Sequence, residues 1–376
     1  MTLTAQERLD DLGVLESADP GHVLRMVDTS AAQLRAAART AAETDLGPAL
    51  SGSHPRTIVV TGMGGSGVAG DVLSAVCGPN SPTQVIALHD YRLPGWVGQE
   101  DLVIAVSCSG MTEETLSTAG AAASRGCPLV GVGGAGTSLA RLAAQAGAPF
   151  IPVQPAGMPR ATLWGLSAPL MVIADRLGVA EIPGRTLEAA ALELERVSQL
   201  CRPAGESFAN PAKTLALELA GKLPMIWGSS PLTGVAAIRF ATQLNENAKY
   251  VGVPGVLPEA NHNQVVAFDG PFAPRPAGGA VVLDREGLGL TVPLHLVILR
   301  DNQEHPQVTR RREVSAQLAE QRGISVTQIA ADGATALERL AGLIQLIDYA
   351  TVYLGIAIGV DPGPIVVIGE LKERIA

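Results

Sequence analysis

Aromatic side chains are nearly missing from this chain: phenylalanine, tryptophan and tyrosine together make 3% of its 376 residues. A core without rings must be filled by small aliphatic side chains with close backbone approach, the habit of α/β folds more than of β-sandwiches. Cysteine is scarce too. Cys77, Cys108, Cys127 and Cys201 show no C-x-x-C spacing and no nearby histidine, which argues against a zinc or disulfide scaffold and fits a reducing cytoplasm. No basic excess exists: 27 basic residues stand against 36 acidic ones, a net charge of −9. A general nucleic-acid or anionic-membrane binder is excluded, but a local site for a small anion is not. The longest apolar stretch, Leu343 to Val360, is interrupted by Gln345 and Asp348, and the N-terminus has no basic-then-apolar pattern. No membrane span or export signal is expected. The six histidines form no H-x-H or H-x-x-x-H pair, so neither a metal nor another cofactor is implied.

What is present is apolar bulk, 47% of the chain against 17% charged residues, enough for about two domains and too much for a disordered polymer. Residues 1–53 read as amphipathic helix, with Leu24, Val27, Ala31 and Leu34 at helical spacing. From Thr57 the pattern becomes short β-branched runs alternating with small-residue helices. Strands are expected at Thr57–Thr61, Gln84–Leu88, Leu102–Val106, Leu129–Val132 and Phe150–Val153. A helical linker around Leu187–Cys201 leads to a second run. There a strand from Leu223 meets a Gly-Ser-Ser turn, followed by a long helix from Leu232 to about Tyr250 and a loop. Strand Leu294–Leu299, helix 306–321, strand 325–330, helix 334–359 and a terminal helix close the chain. This order predicts two parallel sheets, each covered by helices on both faces in a flavodoxin-like three-layer sandwich. The expected boundaries are 1–53 (helical segment), 54–184 (first domain), 185–208 (linker) and 209–376 (second domain). The Gly- and Pro-rich stretch 269–291 reads as a surface excursion.

Two strand-to-helix turns carry the chemistry. Gly62-Met-Gly-Gly-Ser-Gly67 exposes backbone N–H groups at a helix N-terminus, where an anion is favoured; it reads equally as a tight packing turn. The second, Ser107-Cys-Ser-Gly-Met-Thr112, supplies three hydroxyls from Ser107, Ser109 and Thr112, each able to donate to a phosphate oxygen. Helix capping would use one hydroxyl, and here there are three. Both turns lie at the carboxyl ends of strands expected to be adjacent, facing one crevice.

Gly64-Gly-Ser-Gly67 followed by Ser107-x-Ser-Gly-x-Thr-Glu-Glu-Thr115 resembles the sugar isomerase (SIS) domain, which binds phosphorylated sugars. Asn245-Glu-Asn-Ala-Lys249, Asn261-His-Asn263 and the tail from Asp361-Pro to Leu371-Lys372 narrow the likeness to the bifunctional phosphoglucose/phosphomannose isomerase family. The resemblance covers about residues 54 to 376 as two tandem SIS domains. It implies that Gly65, Ser66, Ser107, Ser109 and Thr112 contact substrate and phosphate. Arg160 would be the active-site arginine, Glu246 the base, His262 the ring-opening group and Lys372 a third catalytic position. It further implies a homodimer in which His262 crosses the subunit interface. One departure is plain: the family usually reads Asn-His-Asn-Glu, and this chain has Gln264.

Aldose–ketose interconversion needs one base to carry a proton between C2 and C1 through a cis-enediol. Glu246 is such a carboxylate, with Lys249 at i+3 on nearly the same face of the expected helix; a solvated Glu–Lys pair is the plainer reading. Imidazole suits ring opening near neutral pH, and the asparagines beside His262 could fix its tautomer. Arg160 could stabilise an enediolate. His22, His54, His89, His295 and His305 read as structural. The expected activity is a metal-independent isomerase for glucose 6-phosphate and mannose 6-phosphate, giving fructose 6-phosphate. The alternatives are a non-catalytic sugar-phosphate sensor, for which no basic recognition helix is visible, and an isomerase for another sugar phosphate.

Overall fold

The computed structural model describes residues 3–50, 54–274 and 292–375. The chain divides into two compact units, each discontinuous in sequence. One comprises Asp28–Glu195 with Ala334–Ala341, here the first unit; the other comprises Met1–Val27, Arg196–Gly333 and Gly342–Ala376, the second unit.

In the first unit the β-branched runs become β1 (Thr57–Thr61), β2 (Gln84–Leu88), β3 (Leu102–Ser107), β4 (Leu129–Gly133) and β5 (Phe150–Pro152). All pair in parallel, in the order β2-β1-β3-β4-β5. Every residue of β1, β3 and β4 is buried, because helices cover both faces; this is why these strands read as continuous apolar runs. One face packs Val59, Val103, Ala105 and Leu129 against Ala119 and Ala122 of the helix Glu113–Ser124. The order reverses between β1 and β3, so the loops leaving their carboxyl ends diverge and open a crevice.

The second unit repeats the plan with β6 (Leu223–Gly228), β7 (Val253–Val256), β8 (Leu294–Asp301) and β9 (Ser325–Ala331), ordered β7-β6-β8-β9 and again parallel. Trp227 and Phe268 stack here at 5.5 Å among Leu257, Leu296 and Ile298. Strand β7 falls where the sequence pattern read as loop. It is an edge strand containing Pro254, and proline is tolerated there because, among the described residues, one side of β7 pairs with no other strand.

Other differences have local causes. The N-terminal helix is broken into Ala5–Asp10, Leu12–Ala18, Val23–Asp28, Ser30–Glu43 and Gly47–Leu50. Asp11 accepts from the N–H groups of Gly13 and Val14, and Asp19 from those of Val23 and Leu24, so each starts a new helix. The helix Leu163–Arg176 gave no amphipathic signal, because eleven of its residues are buried and Pro169 lies inside it. The helix Ala336–Ala357 is long and apolar enough to cross a bilayer, but most of it is buried in protein. Gln345 donates there to the Val27 carbonyl and the Ser198 hydroxyl. The excursion at 269–291 lies outside the described residues from 275 onward.

Candidate active site

The first unit brings its two Gly/Ser turns together at the β1/β3 switch point. Gly64 has φ +54 and delivers the chain into the helix Gly65–Cys77. Ser66, the second residue of that helix, accepts the Cys108 N–H at 3.1 Å, fastening one turn to the other. Ser107 and Thr112 hydroxyls lie 3.0 Å apart, and Ser109 Oγ accepts the Met111 N–H at 3.3 Å. Thr112 is the N-cap residue of Glu113–Ser124, yet its hydroxyl makes no cap bond. Capping therefore does not account for these hydroxyls. One member of the Ser107–Thr112 pair donates to the other, leaving one proton there and that of Ser109 for an anion at the helix end. Gly110, at φ +61, makes the turn possible: a Cβ on it would lie 2.0 Å from the Thr137 hydroxyl. Burial pushes the Cys108 thiol's pKa up, so it remains a neutral thiol beside this cradle.

Arg160 belongs to the same unit. It sits on the 3₁₀ turn Pro159–Ala161 and is 3% exposed, so it is not a surface arginine. The turn packs directly on Gly65, where a Cβ would lie 2.9 Å from the Pro159 carbonyl and 3.2 Å from Arg160 Cα. Thr162 Oγ1 donates to the Met158 carbonyl and accepts from Ala156 N–H, and Gln33 Nε2 donates to the Ala161 carbonyl. Gln33 and Thr162 thus hold the turn that carries the arginine. Sequence reading passed over both, since neither stands in a motif.

Glu246, in the second unit, is not on a continuous helix to Tyr250. The α-helix Pro231–Gln243 ends and a π-turn, Leu244–Ala248, carries Glu246 at its centre. Lys249 follows with a left-handed backbone, φ +52, so the expected i+3 facing of Glu246 and Lys249 does not hold. Lys249 Nζ donates instead to the main-chain carbonyls of Glu246 and Asp361, at 3.0 and 2.8 Å. That bond ties the start of the C-terminal tail to the turn. The turn is anchored from behind. Arg239 meets Asp348 through two bonds, Nε to Oδ1 at 3.1 Å and Nη2 to Oδ2 at 2.6 Å, and Gln243 adds a third at 3.2 Å. Asn247 Nδ2 donates to Thr351 Oγ1 at 3.0 Å. Burial pushes the Asp348 carboxyl above the usual range against the pull of Arg239. Short π segments concentrate at functional sites because they re-aim one side chain.

His262 ends the 3₁₀ turn Glu259–His262 and is exposed. Its neighbours hold the loop rather than the ring. Asn261 donates to Ser315 Oγ at 2.7 Å, and Asn263 donates to Glu259 Oε1 at 2.8 Å while accepting from the Gln264 N–H. The expectation that the two asparagines set the imidazole tautomer is therefore corrected. Gln264 also points into the fold: its Oε1 accepts Trp227 Nε1–H at 2.6 Å and its Nε2 donates to the Pro254 carbonyl at 3.0 Å. A carboxylate could make the first bond but not the second. Lys372 stands on the helix Val366–Ile375, none of whose residues is buried. Among the described residues no group of three or more His, Cys, Asp or Glu side chains is arranged to hold a metal ion.

Residues 208–375 match the family model for the bacterial phospho-glucose isomerase C-terminal SIS domain. The bifunctional phosphoglucose/phosphomannose isomerase of Caldicellulosiruptor bescii is 32% identical over 319 residues, covering 85% of this chain and 89% of that protein. That of Aquifex aeolicus is 29% identical, covering 85% and 90%. The solved structure of tagatose-6-phosphate ketose/aldose isomerase from Escherichia coli superposes with a TM-score of 0.62 at 14% identity, over 91% of this chain and 93% of that one, a likeness of fold. The uncapped hydroxyl cradle at a parallel-sheet switch point thus stands in a chain that belongs to the bifunctional phosphoglucose/phosphomannose isomerase family.

Proposed function

We propose that the protein interconverts glucose 6-phosphate and mannose 6-phosphate with fructose 6-phosphate by metal-independent proton transfer through a cis-enediol. The observation that carries the reading is the Ser107–Thr112 hydroxyl pair at the start of a helix whose cap residue makes no side-chain cap bond. Such a cradle suits a phosphate dianion, which takes O–H and N–H donors. In this reading Ser107, Ser109 and Thr112 hold the phosphate, while Gly65 and Ser66 contact the sugar. Arg160 supplies a fixed cation for the enediolate oxygen as charge develops. Glu246 removes the proton from C2 and returns it to C1. Because the two aldoses differ only in configuration at C2, both yield the same enediol, and one carboxylate serves both given rotation about C2–C3. His262 moves the ring-opening proton, and Lys372 is a third catalytic group on the exposed tail. The protein works in the cytoplasm as a homodimer, with His262 delivered to the partner's site.

The test is Glu246→Gln, which keeps the shape and removes the proton acceptor. Turnover should fall at least about 10²-fold on both epimers while phosphate-ester binding persists. Loss of the mannose reaction alone refutes a shared enediol. For the assembly, inactive Glu246→Gln and His262→Ala chains refolded together should regain activity, because one of the two sites in a heterodimer then carries neither lesion. Heterodimers without activity would place His262 in its own chain's site.

A further inference from the structure

His89 directly follows β2 and enters none of the roles assigned above. Its ring lies against the Gly-rich turn: a Cβ on Gly67 would come within 2.7 Å of His89 Nδ1 and Cε1. Nδ1 is 2.9 Å from the Gly62 carbonyl oxygen, and Nε2 is 3.3 Å from a carboxylate oxygen of Asp71, which projects from the helix Gly65–Cys77. Both neighbours are acceptors, and only the imidazolium can donate to both at once. The nearby charges leave Asp71 as its counterion. Asp90 accepts the Arg92 N–H at 3.0 Å, and Glu113 and Glu114, from the helix beyond, act on the Tyr91 hydroxyl.

We propose that His89 is a positioning residue for the substrate turn: protonated, it grips the Gly62 carbonyl from one side and Asp71 from the other, and so fixes where Gly65 and Ser66 meet the sugar phosphate. This rests on the assignment of that turn to the substrate. The hydrogen bond to Asp71 raises the ring's pKa, partial burial opposes it, and the Gly62 bond adds to the rise. The folded state therefore keeps the proton above the ordinary histidine range. The grip is complete at low pH and is lost as pH rises through the raised value. Above it, one nitrogen faces an acceptor with no proton to give.

The experiment measures KM for glucose 6-phosphate from about pH 6 to about pH 9, spanning the histidine range, in the wild type, His89→Gln and Asp71→Asn. The ratio of mutant to wild-type KM cancels the substrate's own ionisation. For His89→Gln it should be about three- to tenfold on the acid side, the scale of one ordinary hydrogen bond, and approach unity on the alkaline side. Asp71→Asn should move the wild-type break to lower pH. In parallel, nuclear magnetic resonance follows the His89 ring and the amides of Gly62 to Gly65 in the wild type. Those amides should shift with the ring's titration. Amides that ignore the ring overturn the brace, and the cradle survives if Ser107→Ala still raises KM. Amides that follow the ring beside a pH-independent KM ratio also end the proposal; an unchanged KM in Ser107→Ala would then show that the substrate assignment itself is at fault.

Discussion

Replacing Asp348 by alanine removes the countercharge of a guanidinium that is 1% exposed; the carboxylate itself is only 6% exposed. Asp348 accepts two bonds from Arg239 and one from Gln243, so the change also strips a buried amide of its acceptor. Breaking a buried pair from one side costs about 3–5 kcal/mol, because the remaining charge stays desolvated. Against a total stability of about 5–15 kcal/mol, that is a large share. For a unit of this size each kcal/mol moves the midpoint by about 2–4 °C, so calorimetry should show a melting point lower by about 6–20 °C. The double variant Arg239→Met with Asp348→Leu should recover most of the loss, since an apolar pair needs no solvation. The same ion pair anchors the helix that ends in the Glu246 turn. Below its melting point, Asp348→Ala should therefore lose kcat more than it raises KM. A loss under about 1 kcal/mol, or a double variant no better than the single, would refute the argument.

Gly65→Ala places a methyl against the Pro159 carbonyl and the Arg160 backbone. It should displace the arginine and lower kcat, and because the clash is with backbone it should also cost about 1–3 kcal/mol of stability, read by steady-state kinetics and calorimetry together. Gln264→Glu keeps the acceptor for Trp227 but sets a carboxylate oxygen against the Pro254 carbonyl. Urea denaturation should report about 1–3 kcal/mol of destabilisation at neutral pH, shrinking as the new carboxyl protonates and can donate. A variant as stable as the parent at neutral pH would show that the Pro254 bond is dispensable.

The strands of the first sheet were legible because β1, β3 and β4 are buried on both faces, which forces unbroken β-branched runs. The cradle was legible because three hydroxyls in six residues exceed what a cap requires. What failed to show has a common physical cause: it depends on contacts distant in sequence. Gln33 reaches the Arg160 turn across 128 residues. The π-turn at Glu246 is held by Asp348 and Thr351, about a hundred residues on, and without them Leu232 to Tyr250 reads as one helix. His89 looked structural because its partners are a backbone carbonyl and an aspartate eighteen residues upstream, in no motif.

The two sheets share a strand order, and each has a Gly/Ser turn after its first strand, yet their switch points are chemically opposite. In the second unit Ser230 donates to Asp301 Oδ2 at 2.7 Å, and Ser229 Oγ accepts the Asp301 N–H at 2.8 Å. Asp301 Oδ1 accepts the Gln303 N–H at 3.1 Å, and Ser230 Oγ also caps the helix Pro231–Gln243 by accepting the Thr233 N–H. The Ser230 proton that could have met a phosphate is spent on a buried carboxylate of the chain's own, and the Ser229 hydroxyl accepts that residue's N–H. A phosphate there would face like charge in a poorly solvated place, which costs far more than one lost hydrogen bond. Of these two switch points, the first unit's pairs Ser107 with Thr112 and holds no carboxylate in the pair, the arrangement that favours an anion. The second unit's helix, already capped at its start by Ser230, instead presents its far end, where the π-turn places Glu246. One plan of sheet and helix thus yields a pair of hydroxyls at the start of a helix in one unit and a carboxylate at the end of a helix in the other. The strands that follow the two switch points end differently, β3 on Ser107 and β8 on Asp301.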